Sequence, residues 1–207
     1  MLTEAVVDLS LGSAIDNSRE YTNMIKIHVC LVSDQTTPNI LAIEAFQPDE
    51  LLLVSTSLME TKGKSSHILD CLASKGLNYY RRRHILEVAE DSMPDCHRKL
   101  GAWIEGREES EFVVNLTGGT KIMSIAAYAF FKDYNSRMIY IPLHRNEYLM
   151  IFPKGGAPKP VPLPQRLSVG EYLKAYGLVA LNVHHLEGMA EESRKRMELS
   201  CWIVAHF

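Results

Sequence analysis

The sequence has no apolar run that approaches the roughly 20 residues a helix needs to cross a bilayer. Its first 23 residues, MLTEAVVDLSLGSAIDNSREYTN, lack a basic n-region and carry acids within their apolar stretch, so they do not form a signal peptide. The formal net charge is -3, whereas proteins that grip long nucleic acid through phosphate contacts usually carry a strong basic excess. These absences predict a cytoplasmic protein that neither enters a membrane nor binds long nucleic acid.

Cysteine is scarce, and its spacing carries no motif. Cys30, Cys71, Cys96 and Cys201 are scattered without a CxxC or CxxH pair. A structural zinc site usually needs such pairs, and a disulfide framework is typical of much smaller secreted domains. We therefore expect four free thiols, no bound metal and no resident cofactor.

The composition is that of an ordinary globular protein, with 207 residues, 46% hydrophobic and 23% charged. That length suits one sizeable domain with short appendages. Met24 begins a strong strand pattern, so residues 1–23 are predicted to be an N-terminal extension or the result of a misplaced start. We predict one main domain at 24–153, then a Pro/Gly-rich connector and helical linker at 154–207.

Apolar patterning predicts alternating strands and helices. Strands are predicted at 24–32, 51–55, 84–88, 111–115, 138–142 and 148–152, the last two as a hairpin. Helices are predicted at 38–46, 65–75, 96–105 and 120–133. This order is typical of an α/β protein with a Rossmann-like, doubly wound, mostly parallel sheet. The segments LSVGEYLKAYG and EESRKRMELSCWIVAHF predict a helical C-terminal extension.

The segment Asn115–Lys121, NLTGGTK, follows a buried strand and begins a helix. Free helix N-terminal amides, glycines that let the backbone approach an anion, two threonine hydroxyls and a lysine together predict a phosphate-binding loop. The segment matches neither the Walker A pattern nor the dinucleotide fingerprint GxGxxG, which disfavours a nicotinamide-dependent enzyme. The alternative is a tight turn with Thr120 as the helix N-cap.

A second polar loop, Ser33–Asn39 (SDQTTPN), follows the first strand. Ligands of open α/β sheets lie beyond the carboxyl ends of the strands, where the strand order reverses. The loops after the first and fourth strands commonly flank that crevice, and both are rich in hydroxyl groups here. The alternative for this loop alone is a solvated connection.

The segment Asn115–Lys121 is called the glycine loop below. The helix that follows it has almost no polar face between Ile122 and Phe131. Such a helix is covered nearly all round, either within one core or by a second copy of the chain. We favour the second arrangement, because a twofold axis would bring two glycine loops together around one symmetric anion.

At these segments the sequence resembles the CRISPR-associated Rossmann fold (CARF) family. The resemblance rests on LVSDQTTPN, VVNLTGGTKIMSIAAYAFF and PLPQRLSVGEYLKAYG, and spans roughly residues 24–177. Within the family, it resembles the subfamily whose sensor domains precede PD-(D/E)xK-type nucleases in type III CRISPR ancillary effectors. The resemblance implies a homodimer that binds cyclic tetra-adenylate, or cyclic hexa-adenylate, and allosterically controls an effector domain. We find no copy of the nuclease motif before Phe207, so the effector is expected outside this chain.

The resemblance also implies which residues contact the ligand. By motif position they are Ser33, Asp34, Gln35, Thr36, Asn39, Asn115, Thr117, Gly118, Gly119, Thr120 and Lys121. Thr56 and Ser57, after the second strand, are added to this set. No catalytic residue is assigned, since neither loop contains a histidine. A ring nuclease that slowly cleaves its activator and a ligand-regulated transcription factor remain alternative functions.

Overall fold

The structure, a computed structural model, describes residues 24–142, 145–153, 155, 159–178 and 183–206. The predicted extension at residues 1–23 lies outside this part of the chain. The strands are β1 (Lys26–Leu31), β2 (Glu50–Ser55), β3 (Arg83–Glu87), β4 (Glu111–Asn115), β5 (Ser136–Tyr140), β6 (Glu147–Phe152) and β7 (Pro160–Pro162). The helices are α1 (Thr37–Phe46), α2 (Ser57–Thr61), α3 (Lys64–Ser74), α4 (Met93–Ile104), α5 (Lys121–Phe131), α6 (Val169–Ala175) and α7 (Val183–His206). None of the described helices is long and apolar enough to span a membrane.

The strands form one sheet in the order β3-β2-β1-β4-β5-β6-β7. The first five strands in this order are parallel, and β6 and β7 pair antiparallel at the edge. Cys30 of β1 lies opposite both Leu53 of β2 and Asn115 of β4, so the strand order reverses between β1 and β4. The predicted Rossmann-like, mostly parallel fold with a C-terminal hairpin is confirmed.

The central strands are continuous apolar runs because helices cover both faces of the sheet. On one face, Val29 and Leu31 of β1 pack with residues of α4 and α5, including Leu100 and Phe131. On the other face, residues of β1 and β2 pack with α1, α3 and α6. The alternation of side chains along β1 therefore sends successive residues into two separate cores.

Three features of the fold were not predicted from the sequence. α2 follows β2 directly, and its N-cap Thr56 accepts a hydrogen bond from the Met59 amide at 3.3 Å. α4 begins before the predicted position because Ser92 caps it, accepting from the Asp95 amide at 3.2 Å. β7 lies inside the segment predicted as a connector, and Val161 pairs with Tyr148 of β6.

α6 is attached to the fold by a chain of charges on α1, α3 and α6. The Lys75 ammonium lies 3.1 Å from Glu44 and 2.7 Å from Glu171. Glu44 and Lys75 are largely buried, so each charge needs the other to offset its desolvation. Glu171 also completes a capping box with Ser168 at the start of α6. These contacts fix α6 against the face of α1 and α3.

His28 lies in β1 with its imidazole fully buried, and neither ring nitrogen has a hydrogen-bond partner in the described part of the chain. Its ring lies 6.0 Å from the ring of Phe46. Burial lowers the pKa of His28 from its usual 6.5 to about 3, because an imidazolium would lose its hydration there. The folded protein therefore holds this side chain neutral.

We expect His28 to weaken the fold in mild acid. The unfolded chain takes up the proton first, so stability is complete above pH 6.5 and falls as the pH drops toward the folded pKa of about 3. Between pH 7 and pH 5 the loss from this group should be about 2 kcal/mol. His28→Leu should remove that loss, as measured by denaturant unfolding at both pH values. An equal loss in the two proteins would contradict this prediction.

Candidate functional site

The loops after β1 and β4 meet at the point where the strand order reverses. A Cβ atom on Gly118 would lie 2.0 Å from the carbonyl oxygen of Leu31 and 3.3 Å from Oγ of Ser33. Only glycine lets the two backbones approach this closely. Gly118 is therefore the point at which the glycine loop contacts the loop that begins at Ser33.

The glycine loop ends in a capped helix N-terminus. Gly119 adopts a φ of +68°, and Thr120 is the N-cap of α5, where its hydroxyl oxygen accepts from the Met123 amide at 3.2 Å. The same hydroxyl donates to the carbonyl of Glu90 at 2.5 Å. The Ser124 hydroxyl lies within 3.3 Å of the carbonyl oxygens of Leu116, Gly118 and Thr120. The predicted turn with Thr120 as N-cap is thus present, and it leaves α5 with its N-terminus at the crevice.

Two buried asparagines hold the loops together from below. The Asn115 amide group donates to Oδ1 of Asn39 at 2.9 Å and to the carbonyl of Pro38 at 3.2 Å. The Asn39 amide group donates to the carbonyl of Leu31 at 3.0 Å. Oδ1 of Asn115 accepts from the amide and the hydroxyl of Thr117. Both side-chain amides therefore bond to other parts of the protein, and these bonds hold the two loops in position.

The predicted site residues divide by exposure. The exposed residues are Asp34, Gln35, Ser57 and Lys121. The half-buried residues are Ser33, Thr117, Gly119 and Thr120. The buried residues are Thr36, Asn39, Thr56, Asn115 and Gly118. The buried Thr36 donates its hydroxyl to the carbonyl of Ala175 in α6 at 2.5 Å, and Thr56 caps α2. The glycine loop and the Ser33–Asn39 loop come together, while Thr56 and Ser57 lie at the end of the neighbouring strand β2.

Basic side chains lie beside the first loop, and two of them were missed from the sequence. Asp34 forms ion pairs with Lys62 at 3.0 Å and with Lys64 at 3.6 Å. The hydrogen bond from Lys62 lowers the pKa of Asp34 below its usual value. Lys121 is exposed at the first position of α5. The only signal for Lys62 and Lys64 was their position on either side of Gly63 before a helix.

A cleft of about 330 Å³ opens beside the crevice. Its walls come from the β1–α1 loop, helix α1, the segment between β5 and β6, and α6 with the residue that follows it. The lining residues are Gln35, Thr37, Pro38, Leu41, Ile141, Pro142, Arg145, Tyr172 and Tyr176. Except for Gln35, none of these residues was assigned to the site from the sequence. Within the described residues, no group of three or more His, Cys, Asp or Glu side chains is placed to hold a metal ion.

The fold and the site define a Rossmann-like α/β domain with a polar crevice at its switch point. Converging glycine backbone, helix N-terminus, hydroxyl groups and Lys121 favour a ligand that carries phosphate. The family model described as the Card1 CARF domain matches residues 27–172, which is more than half of the chain. The chain therefore belongs to the CARF family.

Several solved structures share this fold. Can2 from Sulfobacillus thermosulfidooxidans, solved with cyclic tetra-adenylate, aligns with a TM-score of 0.62 and 24% identity over 73% of this chain and 39% of its own. Protein VC1899 from Vibrio cholerae aligns with a TM-score of 0.61 and 15% identity over 73% and 39%. A type III CRISPR defence DNA nuclease activated by cyclic oligoadenylate aligns with a TM-score of 0.54 and 19% identity over 73% and 23%. No curated protein matches the chain.

Proposed function

We propose that this chain is a sensor for a cyclic oligoadenylate of type III CRISPR signalling, cyclic tetra-adenylate first and cyclic hexa-adenylate second. The observation that carries the proposal is the position of the glycine loop. In this chain of the CARF family, that loop lies where the strand order of the sheet reverses. Can2, whose fold this chain shares, was solved in complex with cyclic tetra-adenylate. The proposed ligand-binding residues are those predicted above in the two loops, together with Thr56 and Ser57 after β2.

The chemistry of the crevice supports a phosphate ligand. The first amides of α5 have no partner within the helix and carry the positive end of its dipole. Gly118 and Gly119 keep side chains away from these amides, and Lys121 adds a full positive charge. The exposed Gln35 and the half-buried Ser33 offer polar groups from the opposite loop. Asn39 and Asn115 hold both loops in register for binding.

We propose that the sensor is a homodimer that packs through α5. Ile122 and Ile125 of α5 are 37% and 53% exposed, although they are large apolar side chains. They are separated by three positions and so share one helix face, directly after the glycine loop. Packing this face on its copy would cover both side chains and bring two glycine loops near one axis.

The dimer proposal is tested by Ile125→Glu, which places two like charges at the centre of the contact. We expect this variant to be monomeric at concentrations where the unmodified chain is dimeric, as measured by sedimentation velocity. The matched control is Ile85→Glu on the edge strand β3, where Ile85 is 43% exposed. The control should leave the dimer intact. A dimeric Ile125→Glu protein, or a monomeric unmodified chain, would contradict the proposed interface.

We further propose that ligand binding controls an effector domain of the PD-(D/E)xK nuclease type, in a cytoplasmic protein. The chain spans about two fifths of the length of Can2, which leaves room for such a domain in a longer protein. The hydrogen bond from Thr36 to Ala175 links the first loop to the C-terminal end of α6. A movement of that loop on ligand binding would therefore displace the C-terminal end of α6. Residues 24–153 form the sensing domain in this proposal, and 154–207 form its link to the effector.

The experiment that tests the function is a calorimetric titration of the chain with cyclic tetra-adenylate. We expect a dissociation constant of about 1 μM or tighter, close to -8 kcal/mol. Linear tetra-adenylate is the control, and it should bind much more weakly because it is not preorganised as a ring. Absence of binding to both the tetra- and the hexa-adenylate ring would refute the proposal.

A further inference from the structure

β3 is the outermost strand of the sheet, and no described strand pairs with its outer side. The carbonyl of Arg82 and the amide of Val88 both bond toward β2. Because the backbone groups of alternate residues point to opposite edges of a strand, those of Arg83, Ile85 and Glu87 point away from the sheet. An open edge of this kind can accept a further strand.

The outer edge of β3 is only partly covered. Lys99 of α4 donates to the carbonyl of Glu87 at 2.7 Å, which satisfies one acceptor at the C-terminal end of the strand. Ile85, at the centre of the strand, is 43% exposed although it is a large apolar side chain. The centre of this edge therefore lacks the cover that most edge strands have.

The side chains at the two ends of β3 carry opposite charges. Arg83 and Glu87 form no ion pair with any described residue. Arg83 donates to the carbonyl of Tyr80 and lies 5.1 Å from the centre of its ring, and Glu87 is exposed. Alternate residues of a strand share one face, so this face presents a cation, an apolar side chain and an anion in that order. The order is complementary to itself when a second copy of the strand runs in the opposite direction.

We propose that the outer edge of β3 binds the same edge of a second copy of this chain, antiparallel about a twofold axis at Ile85. In this register Ile85 faces its own copy, and Arg83 lies opposite Glu87 of the second copy on both sides of the axis. A shift of two residues would place Arg83 opposite Ile85 and leave the charges unpaired. Charged side chains usually protect an edge strand from a second copy, but here each charge meets its opposite.

The β3 contact is separate from the proposed α5 contact, because β3 lies at the edge of the sheet and α5 follows the central strand β4. Two different twofold contacts on one chain join α5 dimers into larger assemblies. Each copy contributes only the five residues of β3. Such a contact buries well below 1,000 Å², so we expect a dissociation constant on the order of 100 μM. The α5 dimer therefore forms first, and β3 pairing adds to it at higher concentration.

The test uses the full chain with Ile125→Glu, which removes the proposed α5 contact, and sedimentation equilibrium without ligand. This protein should form a dimer as its concentration rises past the expected dissociation constant. Adding Arg83→Glu or Glu87→Arg should weaken this association at least tenfold, because like charges then face each other. The two substitutions together should restore it to within threefold, because they recreate the same pairs. Lys132→Glu, at the exposed end of α5, makes the same charge change as Arg83→Glu and should have no effect.

Two further measurements use the same variants. An equimolar mixture of the Arg83→Glu and Glu87→Arg proteins should associate although neither does so alone, because one edge is then acidic and the other basic. Without Ile125→Glu, light scattering should give a mass above that of a dimer at high concentration, and Arg83→Glu should abolish the excess.

A protein with Ile125→Glu that stays monomeric at every concentration would overturn the proposal. So would a dimer that is indifferent to the single substitutions, or one that the exchanged pair fails to restore. Thermal unfolding of each variant close to that of the unmodified chain excludes misfolding as the cause of lost association. Since no measurement uses a ligand, failure of this proposal leaves the sensor function standing.

Discussion

Gly118→Ala is expected to destabilise the fold by about 3 kcal/mol, because the added methyl group cannot be accommodated by a side-chain movement. Its Cβ would lie 2.0 Å from a backbone oxygen of Leu31, so either β1 or the glycine loop must shift. A loss of this size should lower the melting temperature by roughly 6–12 °C in a domain of this length. Circular dichroism on heating measures it directly.

The same substitution should also reduce affinity for cyclic tetra-adenylate at least 100-fold, which is about 2.7 kcal/mol. The clash separates the two loops that form the crevice, and Ser33 is displaced with Leu31. Separated loops cannot direct the amides of α5 and the polar groups of the first loop at one phosphate ring.

Gly101→Ala is the matched control for Gly118→Ala. Gly101 lies inside α4, and a Cβ there would meet no atom within 4 Å. Alanine is the better helix former, so this variant should be stabilised by up to about 1 kcal/mol and should bind the ligand normally. If the same glycine-to-alanine change lowers stability at position 118 and raises it at position 101, the loss at 118 comes from the contact between the two loops. Equal melting temperatures for the two variants would contradict the close approach of β1 and the glycine loop.

Lys121→Ala is expected to weaken binding of cyclic tetra-adenylate at least tenfold, which is about 1.4 kcal/mol, with little change in stability. Lys121 is exposed and forms no ion pair within the described residues, so the folded chain does not depend on it. Its charge lies at the N-terminus of α5, where the helix dipole disfavours a cation, and the proposed anionic ligand would offset that repulsion. Calorimetry at low and at physiological salt should show a smaller salt dependence for the variant.

Lys132→Ala is the control for Lys121→Ala. It removes the same charge from the exposed C-cap of the same helix, so the two variants have equal net charge. We expect Lys132→Ala to bind the ring as the unmodified chain does. An equal loss of affinity in both variants would mean that overall charge, and not the position of Lys121, determines binding.

The sheet could be predicted from the sequence because its signals are local. Buried parallel strands are short apolar runs, and each helix between them shows its own spacing, so the element order alone indicates a doubly wound sheet. The glycine junction was recognisable for the same reason, since strand, glycines, N-cap Thr120 and helix are consecutive. Knowing the fold then placed the Ser33–Asn39 loop and the glycine loop at one edge.

The roles of individual site residues could not be predicted, because they depend on contacts between distant segments. The pairing of Asn39 with Asn115 joins residues 76 positions apart, and the bond from Thr36 to Ala175 spans 139 positions. Asn39, Asn115 and Thr36 were predicted as ligand contacts, and their structural bonds could not be foreseen, because a polar residue in a loop has the same sequence pattern whether it faces a ligand or holds the loop. The cleft escaped prediction for a related reason, since Tyr172 belongs to a helix beyond the predicted sensing domain.

Native mass spectrometry of the chain with cyclic tetra-adenylate tests the central claim most directly, because it counts chains and rings in one complex. A ring held between two glycine loops related by a twofold axis predicts a species with two chains and one ring. Ions with one chain and one ring, or dimers that bind two separate rings, would contradict a shared crevice. A dimer that never acquires a ring would contradict the proposed ligand itself.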